Sequence, residues 1–279
     1  GFREEEADLL FGVEVIRDSY AVLEFEEPGG IAFSMIQAGD ALFGNPPSRI
    51  SERPMAYSAQ LAHGDVGGVN LTTLVRIVNL SGESRTVELT SVDDDGNVVI
   101  GIGPFVVEPG AGVEIGGAEL LGTGAEATVV AGSLIVSADD GGITGDVVFG
   151  ETQSFRFGSR LPLQRQGFQS AIFGHIASRS APDPRDSMFT GIALFNPNPS
   201  DAEVELIVMA SEGVPIGRIQ LILKPGQRLS KVLTELVPES WGRVGGYVLV
   251  QASLPLVGQE LFGSQSKTMV MTPPTSWKR

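Results

Sequence analysis

The feature that most constrains this chain is that it resembles itself. Ser170-Ala171-Ile172-Phe173-Gly174-His175 echoes Ser58-Ala59-Gln60-Leu61-Ala62-His63, 112 residues earlier. The echo continues in order. Thr72–Asn79 matches Phe189–Asn196, Val87-Glu88-Leu89 matches Val204-Glu205-Leu206, and the turn Asp95-Gly96 matches Glu212-Gly213. Further on, Phe105–Gly110 matches Leu221–Gly226, Gly132–Val136 matches Gly246–Val250, and Val148-Phe149-Gly150 matches Leu261-Phe262-Gly263. A preserved order of short matches is the mark of a repeat architecture. The same offset carries the front of the chain onto the later part of a repeat: Leu9 meets Leu121, Gly29-Gly30-Ile31 meets Gly141-Gly142-Ile143, and Phe43 meets Phe155. The organisation expected is therefore a partial repeat over 1–56, the second half of a unit, followed by full repeats over 57–168 and 169–279. Gly1 is expected to begin a processed, trimmed or fragmentary chain.

Each full repeat holds six or seven apolar runs of four to nine residues, separated by Gly- and Pro-rich turns. In Thr86-Val87-Glu88-Leu89-Thr90-Ser91-Val92 apolar and polar residues alternate, so one face is buried and the other wet. Single sheets of this kind must pack face to face. Six or seven strands in roughly 100 residues predict an immunoglobulin-like β-sandwich, with a small barrel as the other solution. The fold class expected is all-β: tandem immunoglobulin-like β-sandwich domains with an N-terminal partial repeat, as strand or hairpin. Short helical turns are predicted at Ala118–Leu121 and Thr234–Val237.

The run S-A-x-[FL]-x-H, a loop, then T-G-I-A-L-F-N-P, here Ser170–His175 and Thr190–Pro197, resembles β-sandwich repeats of large secreted or cell-surface bacterial proteins. So does L-x-P-G followed by G-x-[LV]-x-V, here Leu223–Gly226 and Gly246–Val250. The resemblance implies an extracellular modular protein and carries no catalytic residues. The copy at 57–150 departs from it, with Val75–Leu80 in place of the Ile-Ala-Leu-Phe-Asn-Pro run.

A net charge of −15 disfavours nucleic acid, which needs clustered Lys and Arg. No apolar run reaches the roughly 18 residues of a membrane span, and Cys is absent. His63 and His175, the two histidines, fall at equivalent repeat positions and read as polar anchors rather than metal ligands or bases. No Gly-x-Ser-x-Gly elbow accompanies them. Asp93-Asp94-Asp95-Gly96-Asn97 offers hard oxygens for calcium but lacks EF-hand spacing, so it reads as a hairpin turn, as does Asp139-Asp140-Gly141-Gly142. Gly101-Ile102-Gly103 and Gly122-Thr123-Gly124 precede no helix that could hold a phosphate and read as turns. Asn70 and Asn79 head glycosylation triplets; Asn79 matches Asn196, which points to strand-end capping instead. Trp241, Tyr247 and Trp277 could stack on sugars or serve as packing.

These residues assign no catalytic, cofactor-binding or metal site, and no cofactor. The expectation is a non-enzymatic extracellular or cell-surface structural protein, a filament, surface-layer or scaffold subunit that self-associates through sandwich domains and strand edges. An adhesin-like or carbohydrate-binding module of a larger surface protein, with a glycan or surface partner, is the alternative. An enzyme requires a site that these residues do not assemble.

Overall fold

The computed structural model describes residues 34–38, 41–45, 52–124, 128–151, 157–264 and 269–276. The front 33 residues of the expected partial repeat, and Trp277, lie outside them. Ser34–Ala38 (β1) and Ala41–Asn45 (β2) form an antiparallel hairpin.

From Met55 onward the described residues are predominantly strand. The first stretch contains β3 (Met55–Val66), β4 (Val69–Asn79), β5 (Arg85–Val92), β6 (Val98–Val107), β7 (Gly112–Gly116), β8 (Val130–Ala138), β9 (Ile143–Glu151) and β10 (Gly158–Pro162). The second contains β11 (Phe168–Phe173), β12 (Phe189–Phe195), β13 (Ala202–Met209), β14 (Pro215–Leu223), β15 (Arg228–Val232), β16 (Tyr247–Gly263), β17 (Met269–Thr272) and β18 (Thr275–Ser276). Each stretch builds one eight-stranded antiparallel sheet that folds over on itself. The folding is done by long strands. β3 pairs with β8 through Met55–His63 and then with β4 through Gly64–Val66. β16, 17 residues long, pairs with β11 and β13 through its first part and with β12 and β17 through Val257–Gly263.

The two layers so formed close on an apolar core. In the first stretch Val75, Ile77, Val87, Leu89, Leu134 and Val147 meet there, each no more than 2% exposed. In the second, Phe173, Ile192, Leu194, Leu206, Val208 and Val250 do the same, each fully buried or nearly so. The alternation read from the sequence is the cause: Val87 and Leu89 point inward while Glu88 is exposed. One-turn helices at Gly117–Leu121 and Leu233–Leu236 plug corresponding ends.

Pairing in the first stretch follows β6-β5-β8-β3 in one layer and β7-β4-β9-β10 in the other. In the second it follows β14-β13-β16-β11 and β15-β12-β16-β17. The fold is thus all-β with sandwich-like packing. Its strand order is not the immunoglobulin-like one expected. Numbered within the first stretch, the layers run 4-3-6-1 and 5-2-7-8, whereas an immunoglobulin constant domain holds strands 1, 2, 5 and 4 in one layer and 3, 6 and 7 in the other. Strand count and alternation specify burial but not partner choice, which is why the sequence suggested the commoner order.

Candidate functional site

Strand registers identify which residues of the two stretches correspond. Tyr57 faces Ile135 across β3 and β8, as Ile172 faces Leu249 across β11 and β16. Val92 faces Ser133 as Met209 faces Tyr247. Beyond the strands, Thr73 Oγ1 accepts the Ala62 N–H at 2.9 Å and donates to Ala62 O, while Thr190 Oγ1 does the same to Ala177. Ala56 therefore corresponds to Ala171 and Ala62 to Ala177. This puts His175 at the position of Gln60 and His63 at that of Ser178, so the two histidines are not equivalent: the matching letters lie three residues out of the register that the strands adopt.

The outer face of the β3-β8-β5 layer is covered by the second stretch. Ala59 and Val92 pack with Ala193, Phe195 and Val257, flanked by Tyr57 and Ile135. The Tyr57 and Phe195 rings lie 6.3 Å apart. Arg228, 5% exposed, anchors the polar side. Its Nε donates to Asp94 Oδ1 at 2.7 Å, and its Nη1 donates to Gln60 Oε1 at 2.7 Å and Gly132 O at 2.9 Å. Ser230 Oγ also donates to Gln60 Oε1. Burial pushes the Arg228 guanidinium down from its ordinary range, and the charge and hydrogen bond of Asp94 oppose that shift. The seam continues where Ala62, Phe149 and Leu161 pack with Met271, and where Ser159 Oγ accepts the Met271 N–H at 2.9 Å.

Among the described residues the corresponding face of the second stretch is partly exposed. It carries Ile172, Ile207, Met209, Tyr247 and Leu249, all half-buried. Ile172, Gly174, Tyr247 and Leu249 line a shallow, mostly apolar groove on it. The chain from Trp241 to Gly245 borders one end: Ser178 N–H donates to Arg243 O and Gly245 N–H to Ile176 O. Trp241 and Val244 on that segment are 59% and 57% exposed. Tyr247, one of the aromatics singled out in the sequence, is thus in the groove, and Trp241 is exposed on the bordering segment.

The other sequence candidates resolve into structural parts. Asp93 ties its own turn, with Oδ1 accepting the N–H groups of Asp95 and Asn97 at 3.0 and 2.8 Å. The Asn97 side-chain amide, which donates to Oδ2 at 3.0 Å, holds its carboxyl below the usual range together with those bonds. Asp139 Oδ2 accepts the Thr86 N–H, and Asp140 pairs with Arg85. Among the described residues no group of three or more His, Asp or Glu side chains could hold a metal ion. Gly101 and Gly103 lie within β6, and Gly122 closes the helix at Gly117–Leu121. Asn79 and Asn196 are capping residues, both fully buried. Asn79 Nδ2 donates to Glu83 O and Val107 O, and Asn196 Nδ2 to Ser200 O and Leu223 O. His63 Nδ1 shares a hydrogen bond with Thr72 Oγ1 at 3.1 Å, and the His175 ring rests on Phe262 at 4.5 Å.

Four charged residues are buried among those described, Asp146, Glu151, Arg228 and Glu260, and none was legible as such. Glu260 is 1% exposed, accepts a hydrogen bond from Thr272 Oγ1 at 3.0 Å and another from the His175 backbone N–H, and burial pushes it up to about 7. Its Oε1 has no hydrogen-bond partner among the described residues. Registers place Val147 and Leu161 at the corresponding positions of the first stretch. Packing alone is therefore satisfied by an apolar pair there.

No protein-family model and no curated protein sequence matches the chain. Among solved structures, Thermotoga maritima 1070 aligns at 14% identity and a TM-score of 0.34, over 40% of this chain and 96% of its own. The Anabaena sensory rhodopsin transducer aligns at 17% identity and 0.29, over 34% of this chain and 93% of its own. A Bacteroides uniformis beta-glucuronidase aligns at 12% identity and 0.17, over 81% of this chain but 26% of its own. At these scores neither fold nor activity is transferred. No helix among the described residues is long and apolar enough to cross a membrane.

Proposed function

We propose that this chain is a non-catalytic, adhesin-like binding module of a larger extracellular or cell-surface protein, built as tandem β-sandwich repeats. The observation that carries the reading is the partly exposed apolar face around Tyr247 among the described residues, whose counterpart in the first stretch is covered. Monomeric proteins seldom leave contiguous apolar patches uncovered unless something binds them, and half-buried Tyr and Leu in a shallow groove supply contact area at low entropic cost. A net charge of −15 keeps such a module soluble and turns away polyanions. The test is retention of the full chain on a panel of immobilised polysaccharides and on immobilised copies of itself. Retention on at least one surface is expected, and Tyr247→Ala together with Leu249→Ala abolishes it with the melting temperature unchanged. Absence of retention on every surface refutes the reading.

Self-assembly into filaments or layers, the function first expected from the sequence, is the second reading. It is favoured by four exposed aliphatics on the outermost strands: Val98 and Val106 on β6, with Val214 beside β14 and Ile222 on it. Two of them sit at corresponding places, since Val87 pairs with Phe105 just before Val106 as Val204 pairs with Leu221 just before Ile222. Such edges are the part of a sheet that recruits further strands.

A further inference from the structure

The seam between the two stretches is not filled throughout. A cleft of about 230 Å³ opens into it, bounded among the described residues by Gln60 of β3 on one side and by β12, β15 and the second part of β16 on the other. Strand pairing shows why there is room. In the first stretch Arg76 stands between Glu114 and Asp146 on the outer side of its layer, and its Nε donates to Glu114 Oε2 at 2.6 Å. The matched threonines, Thr73 and Thr190, put Ala193 at the place of Arg76. The registers put Ser230 and Gln259 at the places of Glu114 and Asp146. A long charged row that fills its own space is thus replaced by a hydroxyl, a methyl and an amide.

The polar groups of the cleft are only half used. Gln60 Oε1 accepts from Arg228 Nη1 and Ser230 Oγ at 2.7 and 3.1 Å, while its amide nitrogen has no acceptor among the described residues. Gln259 is 3% exposed, yet its Nε2 donates to the Met271 thioether at 3.1 Å and its Oε1 accepts from none of the described residues. A thioether is a weak acceptor, and a buried amide short of partners carries a desolvation cost that a bound polar group offsets.

The charges nearby are already matched, Arg228 by Asp94 and Lys231 by Glu235. The cleft therefore suits a neutral guest better than an ion. Free N–H donors on Gln60, a free acceptor on Gln259 and the Ser230 hydroxyl are met together by groups that both donate and accept, which is the property of a hydroxyl. Phe189 and Leu261 add apolar wall for C–H surface. The volume falls below the roughly 300–1,000 Å³ of sites for drug-sized ligands, which limits the guest to about one ring.

We infer that the seam cleft binds one neutral, hydroxyl-rich ring, a monosaccharide unit, through Gln60, Ser230 and Gln259. The site lies on a different layer from the face around Tyr247 and does not depend on the binding reading above.

Calorimetric titration of the full chain with millimolar glucose, galactose, mannose and N-acetylglucosamine tests it. Saturable binding of at least one sugar is expected; no binding of any of the four overturns the inference. Gln259→Leu, which keeps the packing volume and removes the amide, is expected to weaken binding at least tenfold. Gly191→Val is expected to abolish it. A side chain there shares the Ala193 side of β12 and occupies the cleft, while its Cβ meets Leu261 O and Lys231 O at 3.7 Å, ordinary contacts. Should Gly191→Val fail to fold, Gln259→Leu decides alone. Binding that survives in the folded variants overturns the inference. Binding lost instead when Tyr247→Ala and Leu249→Ala are combined places the sugar on the outer face, which supports the earlier reading and overturns this one.

Discussion

Glu260 is a carboxyl group where the first sandwich has Val147, and its cost depends on pH. Burial raises its folded-state pKa to about 7 from an ordinary value of 4.5. The folded chain therefore holds a proton that the unfolded chain releases. The stabilisation from that proton is complete below pH 4.5 and is lost progressively up to about pH 7, on the order of 3 kcal/mol in all. Glu260→Gln cannot ionise, so its melting temperature is expected to be flatter than wild type between those limits and higher at pH 8. Parallel wild-type and variant profiles would exclude Glu260 as the source of the dependence. Neither this residue nor Arg228 was legible beforehand. Their burial arises from contacts between distant segments, and single-residue chemistry reads both as ordinary surface charges.

At the scale of strands and turns, the sequence was informative where the physics is local. Alternation located β5 and β13, the matched Asn79 and Asn196 marked strand-end caps, and the two helical turns fell within a residue or so of their places. Partner choice among strands was not legible, because β8 can pair with β3 or β9 without changing which of its residues are apolar. Correspondence of the histidines misled for a related reason: the short letter match that joins them lies three residues out of the register that strand pairing selects. Asn196 now has a defined task. Its side chain holds Ser200 O, Leu223 O and the Asn198 N–H, joining the ends of β12, β13 and β14. Asn196→Ala leaves those buried groups unpaired and is expected to destabilise by about 2–4 kcal/mol, whereas Asn198→Ala, on a more exposed neighbour, costs less. Denaturant midpoints of the two variants check the ranking.

At the largest scale described, the apolar and polar halves of the seam tie the first stretch to the second. Phe195 is fully buried there, and truncating it removes about 3–5 kcal/mol of packing. Wild-type chain is expected to unfold in a single calorimetric transition. Phe195→Ala combined with Arg228→Met is expected to split it in two, because each sandwich retains its own core while their coupling is lost. Two transitions in the wild type would show that the seam contributes little. The joint is also tight at the backbone. Gly96 (φ 87°) and Gly226 (φ 72°) sit in turns from opposite sandwiches, and a Cβ on Gly96 would lie 2.8 Å from Gly226 C. A side chain on Gly96 would force the two turns apart, whereas a Cβ on Gly226 would meet Gly96 Cα at 3.4 Å, an ordinary contact. The angle at which the second stretch leaves the first is therefore held in part by a hydrogen atom on Gly96 where any other residue would carry carbon.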